Sequence, residues 1–242
     1  MQAEAFLLVV ATGIIVILIS MLLDFVWAQM LPRNVFIYLI RAPGVIVHEC
    51  SHIFGCLLTG AKIKKVVLFS EGGGSVTYAS PAIPALGNVI ISTAPLFCIP
   101  LILAGCTWIF SQYLGCVFPP LPLVIDSPEG VLTLGGGVVG MFSRNIFIQF
   151  NPWFFLYLYL TITLVLSLAP SHQDLKNAIA GIIFLVISGV IIFWSTIPGA
   201  VTILWAVTRF IGMGFALGLG CDLIALVISI PVIIGYLHMH CG

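Results

Sequence analysis

Charge is what this 242-residue chain has least of: Asp, Glu, Lys and Arg together make up 7% of it, against about 25% in a soluble domain. Hydrophobic residues make up 61%, and the mean hydropathy is +1.25. A chain so composed cannot cover a water-facing surface with polar groups, so most of its solvent is lipid. The 8 basic side chains are balanced by 8 acidic ones. No positive excess remains for the counterion release on which nucleic-acid binding rests, and nucleic acid is excluded as a partner. Paired cysteines are lacking as well. The 7 Cys (Cys50, Cys56, Cys98, Cys106, Cys116, Cys221 and Cys241) form no C-x-x-C pair, so neither a disulfide framework nor a thiolate zinc site is indicated. The first apolar run, Ala5 to Leu23, has no basic leading region and no A-x-A-like exit. It reads as a true span rather than a cleaved signal.

What is present predicts an all-α polytopic membrane protein with six or seven transmembrane helices and a short β-hairpin at the membrane surface. The first span runs from Ala5 to Leu23 and extends toward Trp27, with a turn at Gln29 to Asn34. The second, Val35 to Leu58, carries Arg41, His48, Glu49 and His52 and ends at Gly60. Two β-prone runs, Lys62–Phe69 and Ser75–Ala79, flank Gly72-Gly73-Gly74 and read as a hairpin too short to cross a bilayer. A third span fits Pro84 to Gln112, with kinks expected at Pro95 and Pro100. Leu114 to Arg144, rich in Pro and Gly, reads as a long loop or re-entrant segment. Pro152 to Leu168 is a fourth span, opened by Trp153, Phe154 and Phe155 at an interface. Pro170 to Lys176 is a polar break. A fifth span and the start of a sixth fit Asn177 to Val207, interrupted at Pro198-Gly199. The glycines between 212 and 220 are expected to separate the sixth from a seventh at Leu223 to Leu237. With a cytoplasmic N-terminus, Lys62, Lys64, Lys65 and Lys176 lie inside, against Arg33 and Arg144 outside. This bias leans toward a cell-membrane protein whose active site is nearer the cytoplasm.

The chemistry is concentrated in His48-Glu49-Cys50-Ser51-His52, an H-E-x-x-H sequence inside a helical pattern. Residues i and i+4 sit one turn apart on one helix face, so both imidazoles can reach one tetrahedral Zn²⁺. Glu49, about 100° round the helix, is placed to take a proton from water that such an ion acidifies. Chance occurrence in a chain of this composition is below about 1%. Ionisable side chains within a span also mark functional interiors. The bland alternative is two interface histidines with Glu49 ion-paired to one of them. A third ligand must come from elsewhere, and the candidates are Glu71, Asp126, Glu129, His172, Asp174, Asp222, His238 and His240. Glu71 follows His52 by the nineteen-residue gap of soluble gluzincins, but from a turn. Asp174 has its own alternative, because Ser171-His172-Gln173-Asp174 is an S-x-x-D capping box for the fifth helix.

The H-E-x-x-H helix, the Gly-rich hairpin, a further span and a Pro-then-Asp segment together resemble the site-2 protease family of intramembrane zinc metallopeptidases. In that family an aspartate near the end of the fourth span, usually in an N-x-x-P…D-G context, completes the zinc site. The resemblance covers roughly Val35 to Gly181 and implies His48, His52 and Asp174 as zinc ligands, with Glu49 as the catalytic base. It departs from the family at two points: Ser167 stands where Asn is usual, three residues before Pro170, and Leu175 follows Asp174 in place of Gly. The Pro170-Ser171-x-x-Asp174 form is similar to the divergent branch.

The resemblance thus implies a zinc metalloendopeptidase that cuts transmembrane protein substrates in or near their spans, within the lipid bilayer. One membrane-embedded domain, 1–242, is expected, with a catalytic core at about 35–181 and C-terminal helices at about 182–242. A divalent metal transporter and a non-catalytic membrane scaffold are the alternatives. Arg41, on a face similar to that of His48, is read as a snorkelling anchor or a helper at the site. Cys56 is read as a small packing residue, and Asn177 as a plain helix amide or a contact to a substrate carbonyl. The three lysines of the hairpin are expected to mark the cytoplasmic face, Asp24 and Asp222 to point into the bundle, and His238 to Cys241 to be a frayed terminus. The hairpin edge is either a surface turn or a place for an extended substrate to add as a strand.

Overall fold

The structure, a computed structural model, describes residues 2–30, 35–70, 73–118, 127–195 and 197–241. It is mostly helical. The order is α1 (Gln2–Met30), α2 (Val35–Thr59), β1 (Ile63–Val67), β2 (Ser75–Tyr78), α3 (Pro84–Tyr113), α4 (Pro128–Phe142), a π-helical turn (Ser143–Ile148), α5 (Pro152–Leu166), α6 (His172–Trp194) and α7 (Pro198–Cys241).

Among the described residues, three stretches are long and apolar enough to cross a membrane: Ala3–Ala28, Leu86–Tyr113 and Glu129–Ile148. The outward faces are apolar as well. Ile183, Ile187, Ile191 and Trp194 line an exposed stripe on α6, and Leu18, Leu22 and Phe25 one on α1. Water would not tolerate such continuous apolar surface; lipid requires it. The chain is an integral membrane protein.

The helices begin where the chemistry of their ends dictates. Asn151 accepts from the Trp153 N–H at 3.0 Å to start α5, and Ser171 forms a full capping box with Asp174 to start α6. Pro95 and Pro100 both lie inside a continuous α3. The main core joins Leu23, Ile99, Leu103, Val165, Leu168 and Ala225, so α1, α3, α5 and α7 meet around one apolar centre. Against it lies α2, which carries the H-E-x-x-H sequence.

Two expectations are corrected. Of the two readings of Leu114 to Arg144, a long loop or a re-entrant segment, the loop is overturned: much of the stretch is α4 and the π-helical turn that continues it, and residues 119–126 lie outside the described residues. The start signal was local: Ser127 accepts from the Gly130 N–H, Pro128 occupies the first turn, and Glu129 adds an acid there. Glycines 135 to 137 do not break this helix, because in lipid the backbone must satisfy its own hydrogen bonds, which outweighs their low propensity. Beyond it, the buried Asn145 donates to the carbonyls of Val117 and Met141. The second correction concerns the glycines from 212 to 220, which do not divide two helices: α7 runs through them unbroken. Gly218 serves close packing on α1 instead. A Cβ at Gly218 would lie 3.1 Å from Val16.

The hairpin forms as expected, antiparallel with Val66 opposite Val76 and Val67 opposite Ser75. Gly73 takes φ +99, a conformation open to glycine without strain. Val76 and Tyr78 pack on Cys56, Ala61 and Ile91, which anchors the hairpin to α2 and α3. Cys56 is fully buried, as a packing residue should be. The turn expected at Gln29 to Asn34 falls largely outside the described residues.

Candidate metal centre and adjoining cavity

Two glycines bring the backbones of neighbouring helices onto α2. A Cβ at Gly44 would lie 1.8 Å from the Thr163 carbonyl oxygen, so α2 and α5 touch main chain to main chain. One turn further on, His48 Nδ1 reaches the Ser167 carbonyl at the end of α5. At Gly55 a Cβ would lie 2.9 Å from Ile91 Cα, and α3 is drawn in just as closely. There His52 Nδ1 meets the Ile91 carbonyl at 2.8 Å. A carbonyl only accepts, so each Nδ1 carries a proton, and in the neutral form each ring turns an Nε2 lone pair the other way.

Those two Nε2 atoms face each other at 3.1 Å. The third member comes from α6. Asp174 Oδ1 lies 3.6 Å from His52 Nε2, and its Oδ2 lies 3.9 Å from His48 Nε2. The Asp174 side chain is only 14% exposed. The capping reading of Asp174 is seen directly: Oδ2 accepts from the Ser171 N–H at 3.1 Å and from its hydroxyl at 2.6 Å, and the same carboxylate faces the imidazole pair. Among the described residues, His48, His52 and Asp174 are the His, Cys, Asp and Glu group whose ligand atoms converge, all within 4.8 Å of one another. The donor set fits a divalent cation: two lone pairs and one carboxylate share a focus, and two ligands at about 2.0–2.1 Å from a tetrahedral ion stand roughly 3.3 Å apart.

Glu49 is buried beside this group. The hairpin covers it so closely that a Cβ at Gly74 would lie 2.3 Å from Glu49 Cγ and 2.8 Å from its Oε1. Only glycine lets the turn rest there. Farther along β2, the Tyr78 phenol faces Ser92 and Asn177, and burial pushes its pKa up. Asn177 also accepts from Gln173 Nε2 at 3.0 Å.

A cavity of about 570 Å³ opens beside the group, lined by His48, Glu49, Gly74, Ser167, Arg41 and Asp24 among others. Asp24, whose partner the sequence left unnamed, is ion-paired with Arg41. The α1 helix, outside the core expected at 35–181, thereby contributes to the cavity wall. Asp222 is fully buried and accepts from Ser20 Oγ at 2.9 Å on the seam between α1 and α7, apart from the cavity lining. Of the other ligand candidates, Glu129 is exposed in the first turn of α4. Glu71 and Asp126 lie outside the described residues, as do the side chains of His172, His238 and His240.

Residue-type reasoning missed the parts that have no side-chain signature. The carbonyls of Ile91 and Ser167 are main-chain groups, and nothing in the identity of those residues marks them. The glycines at 44 and 55 were the available signal, since a glycine in an apolar helix marks close approach of a neighbour, and Gly74 gave a like signal in the hairpin turn.

No curated protein and no solved structure matches the chain. A family model does, and its stretch holds most of α1, the H-E-x-x-H helix, the hairpin and α3, ending before Asp174: residues 11–115 match the model described as Peptidase M50B-like, which is the site-2 protease family, a family of membrane metallopeptidases that are generally zinc-dependent.

Proposed function

We propose that this protein is an intramembrane zinc metalloendopeptidase that hydrolyses peptide bonds in or near the transmembrane segments of other membrane proteins. The observation that carries the reading is the meeting of two Nε2 lone pairs and the Asp174 carboxylate at one focus, with Glu49 buried beside it. His48, His52 and Asp174 are the ligands in this reading, held by the Ser167 carbonyl, the Ile91 carbonyl and the Ser171 cap. A Zn²⁺ ion there supplies Lewis acidity, lowering the pKa of water to about 7 and polarising the scissile carbonyl. Glu49 accepts the proton from the attacking water and returns it to the leaving amine. The hairpin edge offers main-chain groups to an extended substrate, and proteolysis requires extension because a helix hides its carbonyls. Six or seven crossings, a cell-membrane location and an active site nearer the cytoplasm belong to the same reading.

At 3.1 Å the imidazole pair would also suit a shared proton, so metal content decides between the two. The test uses the purified protein and its Glu49→Gln variant in detergent. Both should carry about one zinc per chain, and only the wild type should cleave a single-span peptide. A wild type free of metal, or a Glu49→Gln variant that cleaves as fast as the wild type, overturns the proposal.

A further inference from the structure

The first strand of the hairpin is exposed in a way that the chemistry of the metal centre does not explain. In β2 exposure alternates along the strand, because Val76 and Tyr78 pack on α2 and α3. In β1 it does not: Ile63, Lys64, Lys65 and Val66 are all exposed, and so are Lys62 and Leu68 on either side. The register of β1 is irregular between Ile63 and Lys65, and a bulge of this kind interrupts the in-and-out alternation of a strand. Lys64 and Lys65 therefore both face the surroundings. Among the described residues no carboxylate pairs with Lys62, Lys64 or Lys65. The strand also stands at the edge of the lipid-facing surface. Leu57 and Leu58, exposed at the end of α2, come just before it. On α6 the exposed Lys176 comes just before Ile179, where the apolar stripe of that helix begins. The Tyr78 phenol faces Asn177, so the start of α6 stands beside the hairpin, and Lys176 joins the other three lysines at the same end of the bundle.

We propose that β1 is a binding surface for anionic lipid headgroups, with Lys62, Lys64 and Lys65 as its phosphate contacts. The chemistry selects a membrane surface over a soluble acidic partner. Ile63, Val66 and Leu68 are exposed between and beside the lysines. An acidic peptide would match the ammonium groups and leave those apolar side chains in water. A leaflet matches both, because apolar side chains sink toward the acyl boundary while lysine stems carry their charge up to the phosphates. Ammonium groups close to a surface of negative potential add their attractions. The attachment reaches the cavity through the strand ladder. β1 pairs with β2 from Ile63 to Val67, and β2 begins directly after Gly74, the residue that rests on Glu49. Headgroup charge thereby steadies the turn that covers Glu49. Lipid binding at β1 does not depend on which reaction the cavity performs.

The test reads amide hydrogen exchange across the hairpin of the purified protein in nanodiscs, either of phosphatidylcholine alone or with about 30% phosphatidylglycerol added. Hairpin amides should exchange about tenfold more slowly in the anionic discs. At about 1 M salt, where the screening length falls to about 3 Å, that difference should vanish. The triple variant Lys62→Gln/Lys64→Gln/Lys65→Gln should exchange alike in both lipids, and Lys62→Arg/Lys64→Arg/Lys65→Arg, which keeps the charge, should retain the difference. Equal exchange of the wild type in both lipids overturns the proposal, and so does a difference that survives salt or the Gln substitutions. A soluble poly-glutamate peptide that protects the hairpin in phosphatidylcholine discs as well as phosphatidylglycerol does would assign the strand to a protein partner, and likewise overturns it. The wild-type comparison decides the matter even if the Gln variant does not fold.

Discussion

Adding one methyl group to the hairpin turn should silence the protein without emptying its metal site. In Gly74→Ala the new Cβ would stand 2.3 Å from Glu49 Cγ and 2.8 Å from Glu49 Oε1. Ordinary carbon contacts lie at about 3.5–4.0 Å, so the overlap exceeds about 1 Å. Either the hairpin tip lifts or the Glu49 side chain swings aside. Both movements displace the proposed base from its partners, and a displacement of about 1 Å near the chemistry costs on the order of 100-fold in rate. The stability cost should stay at the low end of the roughly 1–3 kcal/mol typical of overpacking, because a side chain can rotate away. The three atoms nearest the new methyl all belong to Glu49, and the carbonyls that orient His48 and His52 belong to α5 and α3, away from the hairpin. Expected, then, are wild-type zinc content, a melting temperature within a few degrees of wild type, and peptide cleavage reduced about 100-fold. The measurements are metal analysis, a thermal melt and a single-span peptide assay on one preparation. Cleavage within twofold of wild type would show that the turn does not rest on Glu49, and the reasoning about the covered base would fail.

Ser171→Ala removes both hydrogen bonds from Ser171 Oγ, one to Asp174 Oδ2 and one from the Asp174 N–H. It should cost about 1 kcal/mol of stability and weaken zinc binding by about 10-fold in a chelator competition. Gly55→Ala places a Cβ 2.9 Å from Ile91 Cα and pushes α3 off α2. Zinc affinity should drop by about 10–100-fold as the Ile91 carbonyl leaves His52, measured in the same titration. Ser20→Ala takes the donor from Asp222, which is fully buried and whose Oδ2 already has no partner among the described residues. A thermal melt should show a loss of about 1–3 kcal/mol, while cleavage by the protein that remains folded stays at the wild-type rate. Chelation by phenanthroline should abolish cleavage, and added zinc should restore it; activity that survives metal-free dialysis would contradict the metallopeptidase reading.

The sequence is most legible where one strong physical signal acts alone. His48, Glu49 and His52 stand out because ionisable groups are rare in lipid-facing helices, and the hairpin stands out because β-branched runs around three glycines fit nothing else. Asp174 was legible from Ser171 and Pro170, though its two roles, helix cap and neighbour of the imidazoles, became compatible only when the carboxylate was seen to face both ways. Reading failed where glycine was taken at its average meaning. Gly135 to Gly137 in α4 and the run from 212 to 220 in α7 lower helix propensity, yet in lipid the backbone must satisfy its own hydrogen bonds and the helix continues at both places, while Gly218 serves contact with Val16. The Asp24–Arg41 pair was illegible for another reason: its members sit on different helices, and no spacing along the chain encodes how α1 lies beside α2.

The imidazoles are steered by main-chain oxygens, and that has a consequence for how such a protein responds to change. A steering group without a side chain cannot be deleted by substituting its own residue; Ile91 and Ser167 can become many other amino acids and still present C=O. It can only be slid out of reach when α3 or α5 shifts along α2. The ring angles are therefore insulated from most single substitutions and tied instead to whatever sets helix alignment, which in lipid includes bilayer thickness and lateral pressure.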